Sequence, residues 1–107
     1  MALWSRYDWD AGNLAKCQKH GVTTLEIEHV LGNDPFLFPD YDHSQTEDRN
    51  IAIGRNQVGR PVFVIFTLRL VDGVEHVRPV SARYMHRKEI EKYGYLWRSQ
   101  GSENDDG

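Results

Sequence analysis

Basic side chains crowd one short stretch in the second half of the chain, and a histidine lies among them. The stretch contains Arg78, Arg83, Arg87, Lys88 and Lys92, with His86 between them. Arginine presents planar, forked donors that match the oxygens of a phosphate, and an imidazole titrates near neutral pH. The composition is therefore that of a site for a phosphodiester, although a helix with a basic solvent-facing side would contain the same residues.

The residues around this stretch predict a strand that runs directly into a helix. Residues 75–82 alternate as a strand does, and residues 85–97 place their apolar side chains on one helical face. Pro79 lies within the strand, which predicts an edge position or a β-bulge there. The basic residues would then lie at a strand–helix junction, where side chains of both elements can converge.

Two further strands precede this one at hairpin spacing. Residues 48–55 alternate around an apolar centre, and Asp72-Gly73 is a tight-turn sequence. Residues 61–68 are almost entirely apolar, which indicates a central strand covered on both faces.

The N-terminal half predicts one strand and two short helices. Residues 3–9 alternate with aromatic side chains, and Asp10 is a typical helix N-cap residue. The first helix would end at Gly21, and the capping box Thr23-x-x-Glu26 begins a second one. The predicted order is β-α-α-β-β-β-α, an α+β domain in which helices pack on a mostly antiparallel sheet.

The composition indicates a single small domain. The chain has 107 residues, and we expect residues 1–98 to form one domain and residues 99–107 to form a disordered acidic tail. No apolar run approaches the ~18 residues of a membrane span, and the N-terminus lacks the pattern of a signal peptide. The lone Cys17 cannot form an internal disulfide. We therefore expect a soluble, cytoplasmic protein.

Charge is unevenly distributed along the chain. The formal net charge is −3, but residues 1–48 carry a net charge of −6 and residues 49–98 carry +6. A basic surface built from the second half could attract an anion, because the local field decides that attraction. The two halves could equally neutralise one another in the folded state.

Six short motifs occur in order between residues 4 and 93. They are Tyr7-Asp8-Trp9-Asp10, Lys19-His20-Gly21-Val22, Pro39-Asp40 with His43-Ser44, Glu47-x-Arg49, Ile53-Gly54-Arg55, and Ser81-Ala82-Arg83 leading to Arg87-Lys88-Glu89. This set resembles the BrnT toxin family, the toxin half of a bacterial type II toxin–antitoxin pair. The resemblance implies a RelE-like fold and an endoribonuclease that inhibits translation. It also implies a BrnA-like antitoxin with a ribbon-helix-helix DNA-binding end, with which the toxin would form a heterotetramer.

RNA cleavage without a metal needs a base for the 2′-hydroxyl, an acid for the departing 5′-oxygen, and cations for the charge that develops on the phosphate. His20 is the best titrating candidate, and Arg49 and Arg83 resemble positions that the family uses; these three are the predicted catalytic residues. The histidines and acidic residues lack zinc-ligand spacing, so we expect no metal and no cofactor. Further substrate contacts are expected from Arg55, Arg87 and Lys19.

Each of these residues also has an ordinary structural explanation. His20 could be an imidazole stabilised at a helix C-terminus, and His86 could take its place as the acid. Arg49 and Arg83 could each pair with a neighbouring carboxylate on the surface. The three tryptophans could stack on RNA bases or pack in the core; they are Trp4, Trp9 and Trp97.

A function of a different class remains open at this point. The same fold could serve as a non-catalytic partner subunit that binds an antitoxin and contributes to repression of its own operon. Toxicity on expression without an antitoxin separates this function from that of a ribonuclease.

Overall fold

The computed structural model describes residues 6–41 and 48–105, which form three helices and four strands. Within these residues, two short helices come first, the four strands follow, and one long helix comes last. The elements are α1 (Ala11–Cys17), α2 (Thr24–Gly32), β1 (Phe36–Pro39), β2 (Asn50–Arg55), β3 (Pro61–Val71), β4 (Val74–Tyr84) and α3 (Arg87–Asp105).

The four strands form one antiparallel sheet in the order β1-β2-β3-β4, which confirms the α+β class and the interior position of β3. The N-terminal segment differs from the strand that we expected over residues 3–9. Residues 1–5 lie outside the described part, and the residues after them make one parallel bridge, from Tyr7 to Val77. Asp10 begins to cap α1 directly after this bridge, so the extended segment ends there. The strand β1, Phe36–Pro39, lies at the other edge of the sheet, so the order of the described elements is α-α-β-β-β-β-α and not β-α-α-β-β-β-α.

Pro79 has both features that its position in the sequence predicts. Its strand, β4, lies at the end of the sheet order. The pairing of β3 with β4 shifts between Ile65, which faces Ser81, and Phe66, which faces Pro79, so Val80 is an extra residue in β4. This β-bulge lies between the two parts of β4 that carry Arg78 and Arg83.

Helices cover both faces of the sheet. On one face, α1 and α2 pack on a core that is almost wholly buried. Cys17 belongs to this core, and burial raises the pKa of the Cys17 thiol to about 11. On the other face, Tyr93 and Trp97 of α3 pack on an aromatic cluster that includes Phe36 and Phe63. The alternation along β3 explains the arrangement, since its successive apolar side chains point to opposite faces.

The helix ends also follow from the sequence. Asp10 and Thr23 form the two capping boxes, with Asn13 and Glu26 as their partners. Buried Asn13 also donates a hydrogen bond of 2.9 Å to the carbonyl oxygen of Pro79, which fixes α1 against β4. At the other end of the chain, α3 extends to Asp105, and the boundary expected between a domain at residues 1–98 and a tail at residues 99–107 stays a prediction.

No helix in the described ranges is long and apolar enough to span a membrane.

Candidate functional site

Two histidines and two arginines line one open cavity at the end of β4. Its volume is about 350 Å³, and we call it the histidine cavity. Its lining residues are His20, Arg60, Arg83, Tyr84, Met85 and His86. The chain thus brings together the end of α1, the turn before β3 and the junction between β4 and α3.

The turn after α1 places His20 beside β4. Gly21 has a φ of +88°, a left-handed conformation that glycine adopts without steric cost, and its N–H donates to the carbonyl oxygen of Gln18 at 3.0 Å. The Tyr84 hydroxyl oxygen lies 3.4 Å from the carbonyl oxygen of Gly21. His20 itself is exposed, so its ring can reach a ligand in the cavity.

A hydrogen-bond network holds Tyr84 in place. Its hydroxyl donates to the Glu26 carboxylate at 2.8 and 3.0 Å, and this bond holds the pKa of Tyr84 above its ordinary value. Burial would raise the pKa of Glu26, but hydrogen bonds from Asn56, Thr23 and Tyr84 lower it below its ordinary value. Tyr84 therefore stays protonated and donates to Glu26. The Arg60 guanidinium lies 3.6 Å from the centre of the Tyr84 ring.

The forked donors of Arg83 are engaged by a carboxylate from α3. Its two terminal nitrogens donate to the two oxygens of Glu89 at 2.5 and 2.8 Å, and its guanidinium lies 4.5 Å from the centre of the Phe63 ring. Glu89 also accepts from the backbone N–H of His86 at 3.0 Å. The bonds from Arg83 hold the pKa of Glu89 at about 2, and the same pair raises that of Arg83. Arg83 is therefore a fixed cation.

Arg49 lies at a second cavity, of about 250 Å³, which we call the Arg49 cavity. Arg78 also lines it and is paired with Asp10 at 2.9 Å and with Asp8 at 3.4 Å. The structure thus brings His20 and Arg83 together and places Arg49 elsewhere. The residues that line the Arg49 cavity are Gly12, Asn13, Lys16, Arg49, Arg78, Pro79 and Val80.

The three residues expected to bind substrate lie at different places. Lys19 is exposed beside His20. Arg87 is 94% exposed at the start of α3 and lies 3.7 Å from Glu91. Arg55 lies over the Trp97 ring, 4.8 Å from its centre, in a third cavity. His43 and Glu47, which belong to the resemblance, lie outside the described residues. Within those residues, no group of three or more His, Cys, Asp or Glu could hold a metal ion.

Comparison with protein families gives one match. Residues 9–89 match the model of a family described as ribonuclease toxin, BrnT, of type II toxin–antitoxin systems. The chain belongs to the BrnT family. A comparison with curated proteins gave no match. The matched residues include all those that line the histidine and Arg49 cavities, whereas Trp97 and most of α3 follow the last residue that the BrnT model matches.

Sequence reasoning on this BrnT-family chain missed the residues that support the site. Glu89 was noted only as part of a motif, although its place three residues after His86 is that of a capping-box acid. Arg60 and Tyr84 were not singled out at all. Tyr84 follows Arg83 at the end of a strand, but nothing in the sequence connects it to Glu26, because that contact joins distant segments.

Proposed function

We propose that the chain is a metal-independent endoribonuclease that cleaves RNA and inhibits translation in the cytoplasm. The observation that carries this proposal is the histidine cavity, in which two imidazoles and two guanidiniums surround one space. These are the groups that acid–base cleavage of a phosphodiester requires. Membership of a ribonuclease toxin family supports the same reaction.

In the proposed reaction, the 2′-oxygen attacks the adjacent phosphorus and the bond from phosphorus to the 5′-oxygen breaks. One imidazole takes the proton of the 2′-hydroxyl, and the other gives a proton to the departing 5′-oxygen. His20 and His86 are the two candidates, since both line the cavity. Arg83 and Arg60 would stabilise the charge that develops on the non-bridging oxygens.

The Arg49 cavity would bind the RNA backbone beside the reacting phosphate. Both cavities are lined by β4. Residues Arg78–Val80 line the Arg49 cavity, and Arg83 and Tyr84 line the histidine cavity. From Val80 to Arg83 the strand advances about 10 Å, at ~3.3 Å per residue. In this proposal Arg49 contacts a neighbouring phosphate, and Lys19 and Arg87 extend the basic surface on either side of the histidine cavity.

A type II toxin family implies an antitoxin partner. We propose that the partner is BrnA-like, with a ribbon-helix-helix DNA-binding end, and that it forms a heterotetramer with this chain. An acidic or amphipathic segment of the antitoxin would cover the basic cavities and exclude RNA. Its affinity should then fall with rising salt, because exposed charges are screened over ~8 Å at physiological ionic strength.

One observation favours a second function, that of a non-catalytic partner subunit. Both terminal nitrogens of Arg83 already bond to Glu89, so a phosphate would have to share or displace that carboxylate. In such a subunit, the pair would serve only to hold the start of α3 against β4. The subunit would bind an antitoxin without cleaving RNA.

Expression without an antitoxin tests the two functions against each other. The ribonuclease should arrest growth and degrade cellular RNA, and His20→Ala and Arg83→Ala should each relieve the arrest. His76→Ala is the matched control, because His76 lies on β4, bonds locally to the carbonyl oxygen of Val74, and lines neither cavity. The purified chain should cleave RNA in the presence of a chelator and leave cyclic phosphate ends. A harmless wild-type chain would support the non-catalytic subunit.

A further inference from the structure

The third cavity combines an aromatic ring, a guanidinium and amide side chains in a space of about 440 Å³. Trp97 of α3 forms one wall, and Arg55 at the end of β2 lies over its ring at 4.8 Å. Phe36 contacts the same ring edge-on, with an interplanar angle of 89° and a centroid distance of 5.7 Å. Asn33 and Asn56 add side-chain amides to the lining. We call this space the Trp97 cavity.

The stack of Arg55 on Trp97 leaves one side of the guanidinium plane toward solvent. Arg55 is exposed, and the exposed Asp34 lines the same cavity. Phe36 and Trp97 belong to the apolar cluster beneath α3, so the lower side of the stack is supported. Bases of single-stranded RNA stack on aromatic rings and on arginine planes of this kind.

The Trp97 cavity and the histidine cavity share one wall, the turn at residues 56–60. Asn56 lines the first cavity and Arg60 lines the second. The Asn56 side-chain oxygen accepts from the backbone N–H groups of Val58 and Arg60, at 3.1 and 2.8 Å. Its amide nitrogen donates to Glu26 at 2.8 Å, and Glu26 also holds Tyr84. The turn is therefore tied to the wall of the histidine cavity.

We infer that the Trp97 cavity binds an unpaired nucleobase of an RNA strand whose phosphate lies in the histidine cavity. The inference rests on the proposed function for the identity of the ligand, and it adds a base-binding subsite to it. The side-chain amide of Asn33 is exposed at the wall, and an amide offers both a donor and an acceptor to the edge of a base. Trp97 follows the residues that the family model matches, whereas Arg55 and Asn56 lie within them.

Binding of short RNA oligomers to the full chain tests the inference without depending on cleavage. The two probes are a fluorescent oligonucleotide with a 2′-O-methyl group at every ribose and an abasic oligomer of the same length and charge. The wild type should bind the base-containing probe about tenfold to a hundredfold more tightly than the abasic one. Arg55→Lys keeps the charge but loses the plane, so it should remove most of that difference, and so should Trp97→Leu.

Two controls keep the test specific. Tyr95→Ala removes an exposed aromatic ring from α3, and Arg69→Lys makes the same exchange at an arginine that pairs with Asp8. Both should keep the difference between the probes, and thermal melting should confirm that all four variants fold. If Trp97→Leu fails to fold, Arg55→Lys decides alone.

The outcomes separate the inference from the proposed function. Equal binding of the two probes by the wild type, or an unchanged difference in Arg55→Lys, would overturn the base-binding subsite. Loss of affinity for the abasic probe in Arg55→Lys would overturn it as well, because the lysine would then be disturbing a phosphate contact. A chain that distinguishes the probes but cleaves no RNA would support the subsite and contradict the ribonuclease.

Discussion

The histidine cavity and the Arg49 cavity are both basic and both border β4, yet they differ in how their arginines are neutralised. In the histidine cavity, Arg83 bonds to one carboxylate, Glu89, which α3 supplies from its first turn. In the Arg49 cavity, Arg78 is paired with both Asp8 and Asp10. Among the lining residues that the structure describes, the first cavity has two imidazoles and the second has none.

This difference shows that a count of arginines does not identify a catalytic site. Arg78 and Arg83 lie on the same strand, but the acidic N-terminal segment reaches only Arg78. A phosphate that enters the Arg49 cavity meets a partly neutralised surface, and none of the described residues that line this cavity is a histidine. The two cavities should therefore contribute to RNA binding and to RNA cleavage in different proportions.

The largest expected effect concerns the rate of RNA cleavage. Arg83→Ala should lower the cleavage rate by about 10²–10³-fold, as the loss of a donor to a developing oxyanion does. Arg49→Ala should lower it less than about tenfold, since a phosphate contact away from the reacting atoms supports binding more than chemistry. Initial rates of the purified variants at saturating RNA measure both. Equal losses in the two variants would place Arg49 in the chemical step.

The salt dependence of RNA binding distinguishes the cavities a second way. Each phosphate contact to a single strand contributes about 0.7 to the slope of log K against log salt. Arg49→Ala and Lys16→Ala should each reduce the slope by about that amount, whereas His20→Ala at pH 8 should leave it unchanged. Fluorescence anisotropy over a series of salt concentrations gives the slopes. An unchanged slope in Arg49→Ala would remove the Arg49 cavity from the RNA path.

The pair in the histidine cavity should also appear in the pH dependence of stability. The pKa of Glu89 is about 2 in the folded chain, below its ordinary value of 4.5. Its contribution to the free energy of unfolding is therefore complete above about pH 4.5 and is lost as the pH falls toward 2. Glu89→Gln should lower that free energy by about 1–2 kcal/mol at pH 7, less than the full shift would give, because solvent screens a pair at this depth.

Denaturant titrations of the wild type and Glu89→Gln, repeated between pH 7 and pH 2, measure this contribution. The two stabilities should converge as the pH falls through that window. A difference that stays constant with pH would mean that Glu89 stabilises the fold through packing and not through its charge.

The smallest expected effect tests neutralisation directly. Asp10→Asn keeps a side-chain oxygen that can cap α1 but removes the charge that pairs with Arg78. RNA affinity should rise by about twofold to fivefold, the range expected for an exposed charge pair. Asp72→Asn, at the exposed turn between β3 and β4, is the control and should change affinity less. Weaker RNA binding in Asp10→Asn would contradict our comparison of the cavities.

Local sequence signals predicted much of the fold. The N-cap at Asp10, the capping box at Thr23, the turn at Asp72-Gly73 and the bulge at Pro79 each depend on a few adjacent residues, and each is present. The extent of the N-terminal strand was harder to predict, because pairing with the distant residue Val77 decides it. An alternating pattern over residues 3–9 cannot tell a full strand from a single bridge.

The site was predictable in residue type but not in arrangement. His20 and Arg83 were identified before their common cavity was known, and His86 was recognised as an alternative. Their catalytic roles remain predictions. The partners of the arginines could not be foreseen, because Glu89, Asp8 and Asp10 reach them through the packing of α3 and of the N-terminal segment. Separation along the chain carries no information about such contacts.

The extra residue Val80 has a geometric consequence for Arg78 and Arg83. In a regular strand, two residues five positions apart point in opposite directions, because side chains alternate with a period of two. Here Arg78 pairs with Thr67 and Arg83 pairs with Phe63, four residues apart on β3 and so on one side of it. The bulge therefore absorbs one residue of the alternation, so that Arg83 lies on the same side of the sheet as Arg78. If β4 ran through Val80 as a regular strand without a bulge, the segment from Ser81 to Tyr84 would be inverted relative to Arg78, and Arg83 would point away from Glu89.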